Sequence, residues 1–206
     1  MDLTVGLLLG SRFAAASSEL AGQLPGEVVV SLAAEGESAG DTLSRVRSVC
    51  ESGAGILLVV DEAVSLRPDM APPEFPYCLI SDHLNLTGAN PLVGPNAAEW
   101  GPRFQDLTDA WNPELRAILR DTAREAGLDL PEGVVAGIAG RFHTTAEAAM
   151  LRGLGADVVS HGFVAEAITG RHAGRRMAGL AVTSGADGVE PAELSGLLAP
   201  LIAALA

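Results

Sequence analysis

Short apolar runs rich in β-branched residues recur along the chain at Leu3 to Leu9, Val28 to Leu32 and Ile56 to Val60, each bounded by glycine or polar residues. Runs of this length and composition predict buried strands. Between them, Arg12 to Gln23 and Asp41 to Ser52 carry apolar residues at helical spacing, the second through Leu43, Val46, Val49 and Cys50, with Asp41 as candidate cap and Gly53 as stop. Asn112, Pro113 and Glu114 supply a cap, a first-turn proline and an early acid to a helix whose apolar face runs through Leu115, Ile118, Leu119, Thr122 and Ala123 until Gly127. Gly133 to Ile138, Val158 to His161 and Met177 to Thr183 predict further strands. Helices are expected over Thr145 to Gly153, over Val164 to Arg171 and from Pro191 onward, the last bent at Pro200. The alternation predicts an α/β fold, a mixed and mostly parallel central sheet flanked by helices, with ligands near the carboxyl ends of the strands. Leu84 to Trp111 breaks the pattern, being rich in Gly and Asn and without periodicity. A loop of that length points to a site or a subunit contact.

Composition narrows the reading. The 206 residues suit a single domain, and 48% hydrophobic with 19% charged residues is globular composition, not that of a disordered chain. The formal charge is −13 and all 13 cations are arginine, so the field repels phosphate backbones and anionic lipid, which excludes nucleic acid and membrane surfaces as partners. The longest apolar stretches fall far short of the roughly 20 residues of a membrane span. The chain enters a strand pattern directly after Asp2, so no secretory leader and a cytoplasmic location are expected. Cys50 and Cys78 sit in apolar patterns and read as reduced core thiols. No His-x-x-x-His or Cys-x-x-Cys spacing occurs, so neither a metal nor another cofactor is expected.

Within the long loop and beyond it, specific segments stand out: Ile80-Ser81-Asp82-His83-Leu84-Asn85-Leu86, Gly88-Ala89-Asn90-Pro91-Leu92-Val93-Gly94-Pro95-Asn96, Arg103-Phe104, Thr108-Asp109-Ala110 and Pro113-Glu114-Leu115-Arg116. Leu151-Arg152-Gly153-Leu154-Gly155-Ala156-Asp157 and Arg171-His172-Ala173-Gly174 continue the series. Together they resemble the trimeric purine nucleoside phosphorylases, over roughly residues 55 to 185 with a weaker echo at Leu7 to Ser11. The resemblance implies that family's fold, a homotrimer, and a site near the subunit interface where a neighbour's aromatic residue closes the sugar pocket. Trp100 stands at that aromatic position.

Set against the family's pattern, the polar grips differ. Ser11 of Gly10-Ser11 matches the phosphate turn, but Arg12 and Phe13 replace the glycines that follow, and the segment through Glu35-Gly36-Glu37-Ser38 lacks the Arg-x-His pair. Asp61-Glu62-Ala63-Val64-Ser65 stands where an Asn-Ala-Ala-Gly-Gly turn belongs, and two carboxylates there would oppose a dianion. Phe142-His143-Thr144 carries His where the family has a Glu on the base, the late Asn falls at Ser184 or Gly185, and the Met-Ser pair beside ribose reads His161-Gly162, followed by Phe163. The resemblance thus implies substrate contacts at Ser11, Asp61, Glu62, Trp100, Phe142, His143, His161, Phe163 and Ser184.

Ordinary roles stand beside these. Ser11 reads equally as a helix cap, and adjacent residues such as Asp61 and Glu62 on a strand end point opposite ways, leaving one to solvent or to a loop. His83 reads as a brace of its loop, His172 as a partner of its helix end, and Trp111 as packing. A pocket that keeps its walls and loses its anion cradle is expected to take an apolar small molecule larger than a nucleoside and to act by shape. The leading expectation is a cofactor-independent cyclase of cycloaddition type for a polyketide-like substrate. A divergent purine nucleoside phosphorylase or nucleoside hydrolase is one alternative, and a non-catalytic partner of an active paralogue is another.

Overall fold

The computed structural model describes residues 4–24, 28–140, 143–183 and 190–206. Strands β1 (Val5–Leu9), β2 (Val28–Leu32) and β3 (Ile56–Glu62) lie where the apolar runs placed them. β6 (Glu132–Ile138), β7 (Val158–Ser160) and β8 (Arg176–Val182) also agree with expectation to within a residue or so at each end. Two further strands, β4 (Val64–Ser65) and β5 (Tyr77–Leu86), complete one sheet in the order β2-β1-β3-β8-β5-β6-β7-β4. β5 escapes an alternation search because only Tyr77 to Ile80 are buried, while Ser81, Asp82, His83 and Asn85 carry the strand onward half-buried or exposed, past a register shift between Ile80 and Asp82. The structureless segment therefore starts after Leu86, three residues later than the sequence pattern suggests.

Among the described residues five strand pairings are parallel, and only β5 with β8 and β4 with β7 run antiparallel, which is the expected mixed, mostly parallel sheet. β4 follows β3 after the single residue Ala63 and pairs with β7 at the far end of the strand order. The row therefore curls until its end returns to β3, and the Ser160 hydroxyl at the end of β7 donates to the Glu62 carbonyl at 2.7 Å.

Helices cover both faces. α1 (Ala14–Gln23), α3 (Pro113–Glu125) and α6 (Pro191–Leu205) pack on one side, where Leu7, Leu58, Leu180, Leu119 and Leu201 share a cluster. α2 (Ala39–Glu51) and α5 (Val164–His172) pack on the other, with Leu8, Leu57, Val46 and Ala167. Successive residues of β1 and β3 thus serve opposite faces, as pleating requires of a strand buried on both sides. α4 (Thr145–Gly153) covers a smaller cluster through Leu151. Cys50 and Cys78 are buried and unpaired with each other, and α6 continues through Pro200 as one helix. Among the described residues no helix is long and apolar enough to cross a membrane.

α3 starts on the expected Asn112 cap and α4 on Thr144, each accepting a backbone amide, while the cap of α2 needs a correction. α2 is capped by Ser38 and not by Asp41: the Ser38 side chain accepts from the Asp41 amide, and the Asp41 carboxylate accepts in return from the Ser38 amide. Asp41 is thus the third helical residue of a capping box, a place where an acid also suits the helix dipole. Ser38→Ala is expected to lower stability by about 1 kcal/mol. Urea unfolding checks this, and an unchanged midpoint would show that the box contributes nothing.

Candidate functional site

The chain ends of several strands converge on one cleft of about 440 Å³. Ser11 enters from the turn after β1 and Asp61 from the end of β3, with Thr87, Ile138 and His161 from just beyond β5, at the end of β6 and just beyond β7. The connection from β2 into α2 and the first turn of α5 close the remaining sides. This is the carboxyl-end location that an α/β sheet favours for ligands.

The cleft's electrostatics turn on four side chains. Arg45, from α2, donates through Nε to both carboxylate oxygens of Glu37 at 2.9 and 3.1 Å, and through Nη2 to Glu166 Oε1 at 2.8 Å. Glu166, in the first turn of α5, is 7% exposed, and burial pushes its carboxyl above the usual range. Asp61, 4% exposed, has no such partner. Its Oδ1 accepts the Glu62 amide at 2.7 Å, and the carboxyl is gripped by backbone, since a Cβ on Gly10 would overlap Oδ1 and one on Gly162 would overlap Oδ2. Burial first, and then the neighbouring charge of Glu166, push the Asp61 carboxyl up to about 7.

The positions singled out from sequence divide into groups. Ser11, Asp61 and His161 line the cleft. Glu62 does not: as strand alternation requires, it turns away from Asp61, borders a shallow recess beside the cleft and pairs with Arg12 at 3.7 Å. Asp61 and Glu62 therefore do not face the cleft together, as the expected obstacle to an anion required. Phe163 does not line the cleft either. It is fully buried between the sheet and α5, its ring 6.1 Å from that of Trp111, and it holds a left-handed φ of 73° that few side chains adopt. His143 precedes α4, away from the cleft, and its Nδ1 is buried without a partner. Trp100 is half-buried, with the Arg47 guanidinium 5.0 Å above its ring, and lies outside this chain's own cleft. Phe142 and Ser184 lie outside the described residues.

The bracing reading of His83 holds. The Trp111 indole donates to its Nδ1 at 3.2 Å, and burial keeps the ring's pKa low, as an accepting imidazole requires. Glu37, Arg45 and Glu166 were missed in the sequence. The readable signal was Glu166 itself, a lone acid among Val164, Ala165, Ala167 and Ile168. Among the described residues no group of three or more His, Cys, Asp or Glu side chains is placed to hold a metal ion.

The sequence pattern of the Phosphorylase superfamily matches residues 14–198. The chain belongs to the Phosphorylase superfamily. Over 169 residues it is 36% identical to purine nucleoside phosphorylase 1 of Geobacillus stearothermophilus, covering 79% of this chain and 61% of that protein. Over 152 residues it is 41% identical to the purine nucleoside phosphorylase of Mycobacterium tuberculosis, covering 73% of this chain and 52% of that protein. In structure it is similar to a Schistosoma mansoni purine nucleoside phosphorylase crystallised with a monocyclic inhibitor, with TM-score 0.83 and 25% identity over 97% of this chain and 89% of that one. The chain spans about half to three-fifths of the length of the curated relatives it matches.

These likenesses overturn the expected cyclase. The relatives of this superfamily member carry the name of phosphorylases, and its cleft is lined by Ser11, Ser38, Thr42 and Thr87 beside the carboxyls of Glu37, Asp61 and Glu166.

The raised carboxyl of Asp61 has a consequence for stability. Its folded-state value of about 7 exceeds the usual 3.8, so the folded chain holds a proton that the unfolded chain has released. Its contribution is fully present below pH 3.8 and is lost as pH rises towards and through 7, a swing of roughly 4 kcal/mol. Asp61→Asn, which cannot ionise, is expected to gain stability relative to the native chain at pH 8 and little at pH 4. Denaturant unfolding at both values tests this, and an equal effect at both would show that folding leaves the Asp61 carboxyl unshifted.

Proposed function

We propose that the protein is a purine nucleoside phosphorylase, breaking the N-glycosidic bond of a nucleoside held in the cleft and passing the sugar to phosphate. The observation that carries this reading is the convergence, at one cleft, of the Gly10-Ser11 turn, the end of β3 and the His161-Gly162 turn, in a chain 36–41% identical to purine nucleoside phosphorylases over about three-quarters of its length. Ser11, in the turn after β1, would hold an anion, and Glu166 and His161, which also line the cleft, would offer hydrogen-bond partners to a sugar. Charge develops on the sugar carbon as the bond breaks, and a fixed carboxylate such as Glu166 lowers the energy of that cation. The free, buried thiols accord with a reducing cytoplasm as its location.

A homotrimer belongs to the same reading. Phe104, 89% exposed, and Val93, 83% exposed, leave large apolar side chains on the connection between β5 and α3, where a second copy would cover them. Trp100 of one copy would then close its neighbour's cleft.

Incubation with inosine, guanosine or adenosine is expected to release the base only when phosphate is present. Chromatography of the products reads this, and failure with all three nucleosides would overturn the proposal. Light scattering is expected to give about three times the 21.0 kDa chain mass. Trp100→Ala should leave that mass unchanged and weaken nucleoside binding about 30-fold, the loss of one aromatic anchor. A monomeric native protein would remove the shared pocket.

A further inference from the structure

We propose that Asp61 acts as a neutral carboxylic acid whose O–H, carried on Oδ2, donates a hydrogen bond to an oxygen of the bound anion, so that anion binding is confined to the acid side of neutrality. The identity of that anion as phosphate rests on the phosphorylase reading; the donor itself does not.

Counting charges on the cleft wall leads there. Three carboxyls, those of Glu37, Asp61 and Glu166, line the cleft, and one guanidinium, Arg45, serves two of them. Asp61 is the one without a cation in hydrogen-bond contact, and it is also 96% buried, at 4% exposure. Burying a charge without a partner is far more costly than keeping a proton on it. The proton's position follows from the one hydrogen bond that the group makes: Oδ1 accepts the Glu62 amide, which leaves Oδ2 to carry hydrogen. Oδ2 lies against Gly162 on the cleft wall and receives no hydrogen bond from a described residue. Held between the backbones of Gly10 and Gly162, the carboxyl cannot swing away, so a donor fixed in direction faces the cleft beside Ser11. A carboxyl kept neutral by its surroundings to donate a hydrogen bond is an established chemical device. Here it would stand where ionised carboxylates would repel the anion.

The other charged groups facing Asp61 are known. Glu166 approaches from α5, Arg45 from α2, and Glu62 from the same strand, where it is turned towards Arg12. His161, on the same wall, is a second group whose charge changes on acidification, so the test must separate it.

Sulfate is the probe, because its charge stays constant where that of phosphate does not. Calorimetric titration of the full chain with sulfate between pH 5.5 and 8.5 is expected to show affinity falling about tenfold per pH unit above neutrality. Asp61→Asn, whose amide keeps an acceptor oxygen and offers an NH2 donor that does not titrate, should bind sulfate within about threefold of the native protein at pH 5.5 and hold that affinity across the range. His161→Gln should keep the native profile. Glu166→Gln, which removes the charge that helps Asp61 hold its proton, should move the fall to lower pH, and it serves as the second reading if Asp61→Asn does not fold. A native affinity that is flat with pH, no sulfate binding at any pH, or a profile flattened by His161→Gln and kept by Asp61→Asn would each overturn the proposal. Nucleoside cleavage is measured separately: sulfate binding with the expected profile and no phosphate-dependent base release would sink the phosphorylase reading and leave the Asp61 donor standing, and phosphorolysis without that profile would do the reverse.

Discussion

One guanidinium set among three carboxyls constrains the architecture around the cleft. Arg45 reaches Glu37 on the connection from β2, sits itself on α2, and reaches Glu166 on α5, so three separate pieces of chain are tied at one charge. Both ends of its fork are used, Nε for one carboxylate and Nη2 for the other, and a lysine could not reproduce that geometry. Losing Arg45 would leave Glu166 buried without a counter-charge, a defect of about 3–5 kcal/mol where such pairs have been broken. The helix that carries Arg45 is aimed by the Ser38 and Asp41 box, so a capping motif on the surface and an ion pair near the site belong to one mechanical unit.

Much of the fold was legible along the chain, because strands buried on both faces announce themselves as unbroken apolar runs and well-capped helices as periodic ones. Asn112-Pro113-Glu114 and Leu115, Leu119 and Ala123 sufficed for α3. β5 was not legible, since its second half carries Ser81, Asp82, His83 and Asn85 and pairs in register with β6 in spite of them: backbone hydrogen bonds to a neighbour hold a strand whose side chains do not report it. The candidate site was legible where a residue lies at or just past the end of a strand, as Ser11, Asp61 and His161 do. It was not where a helix delivers the side chain, because Glu37, Arg45 and Glu166 are far apart in sequence and only folding unites them. The cyclase expectation failed for a related reason. It weighed single positions such as Asp61 and Glu62, whereas relatives 36–41% identical over most of this chain carry the name of phosphorylases, and Glu62 turns away from the cleft towards Arg12.

Phe163 shows how the polar and apolar layers are joined. Its left-handed backbone costs of order 1–3 kcal/mol, offset by a ring driven fully into the core against Trp111, which is in turn fixed by His83. Immediately before it, Gly162 presses on Asp61, so the aromatic stack sets the position of the wall that holds the carboxyl.

The return of β4 to β7 bears on how the protein behaves in a crowded solution. An open sheet exposes two rows of unpaired amides and carbonyls, either of which can recruit a strand from another molecule. Here the far end of the row is occupied by a two-residue strand that leads straight back into β3, too short to serve as a template, and the remaining edge is β2, whose five residues are all half-buried. A lesion that freed Val64 and Ser65 from β7 would therefore expose β7's backbone as a new sticky margin, and edge-to-edge aggregation would follow from damage to a two-residue strand that buries neither of its side chains fully.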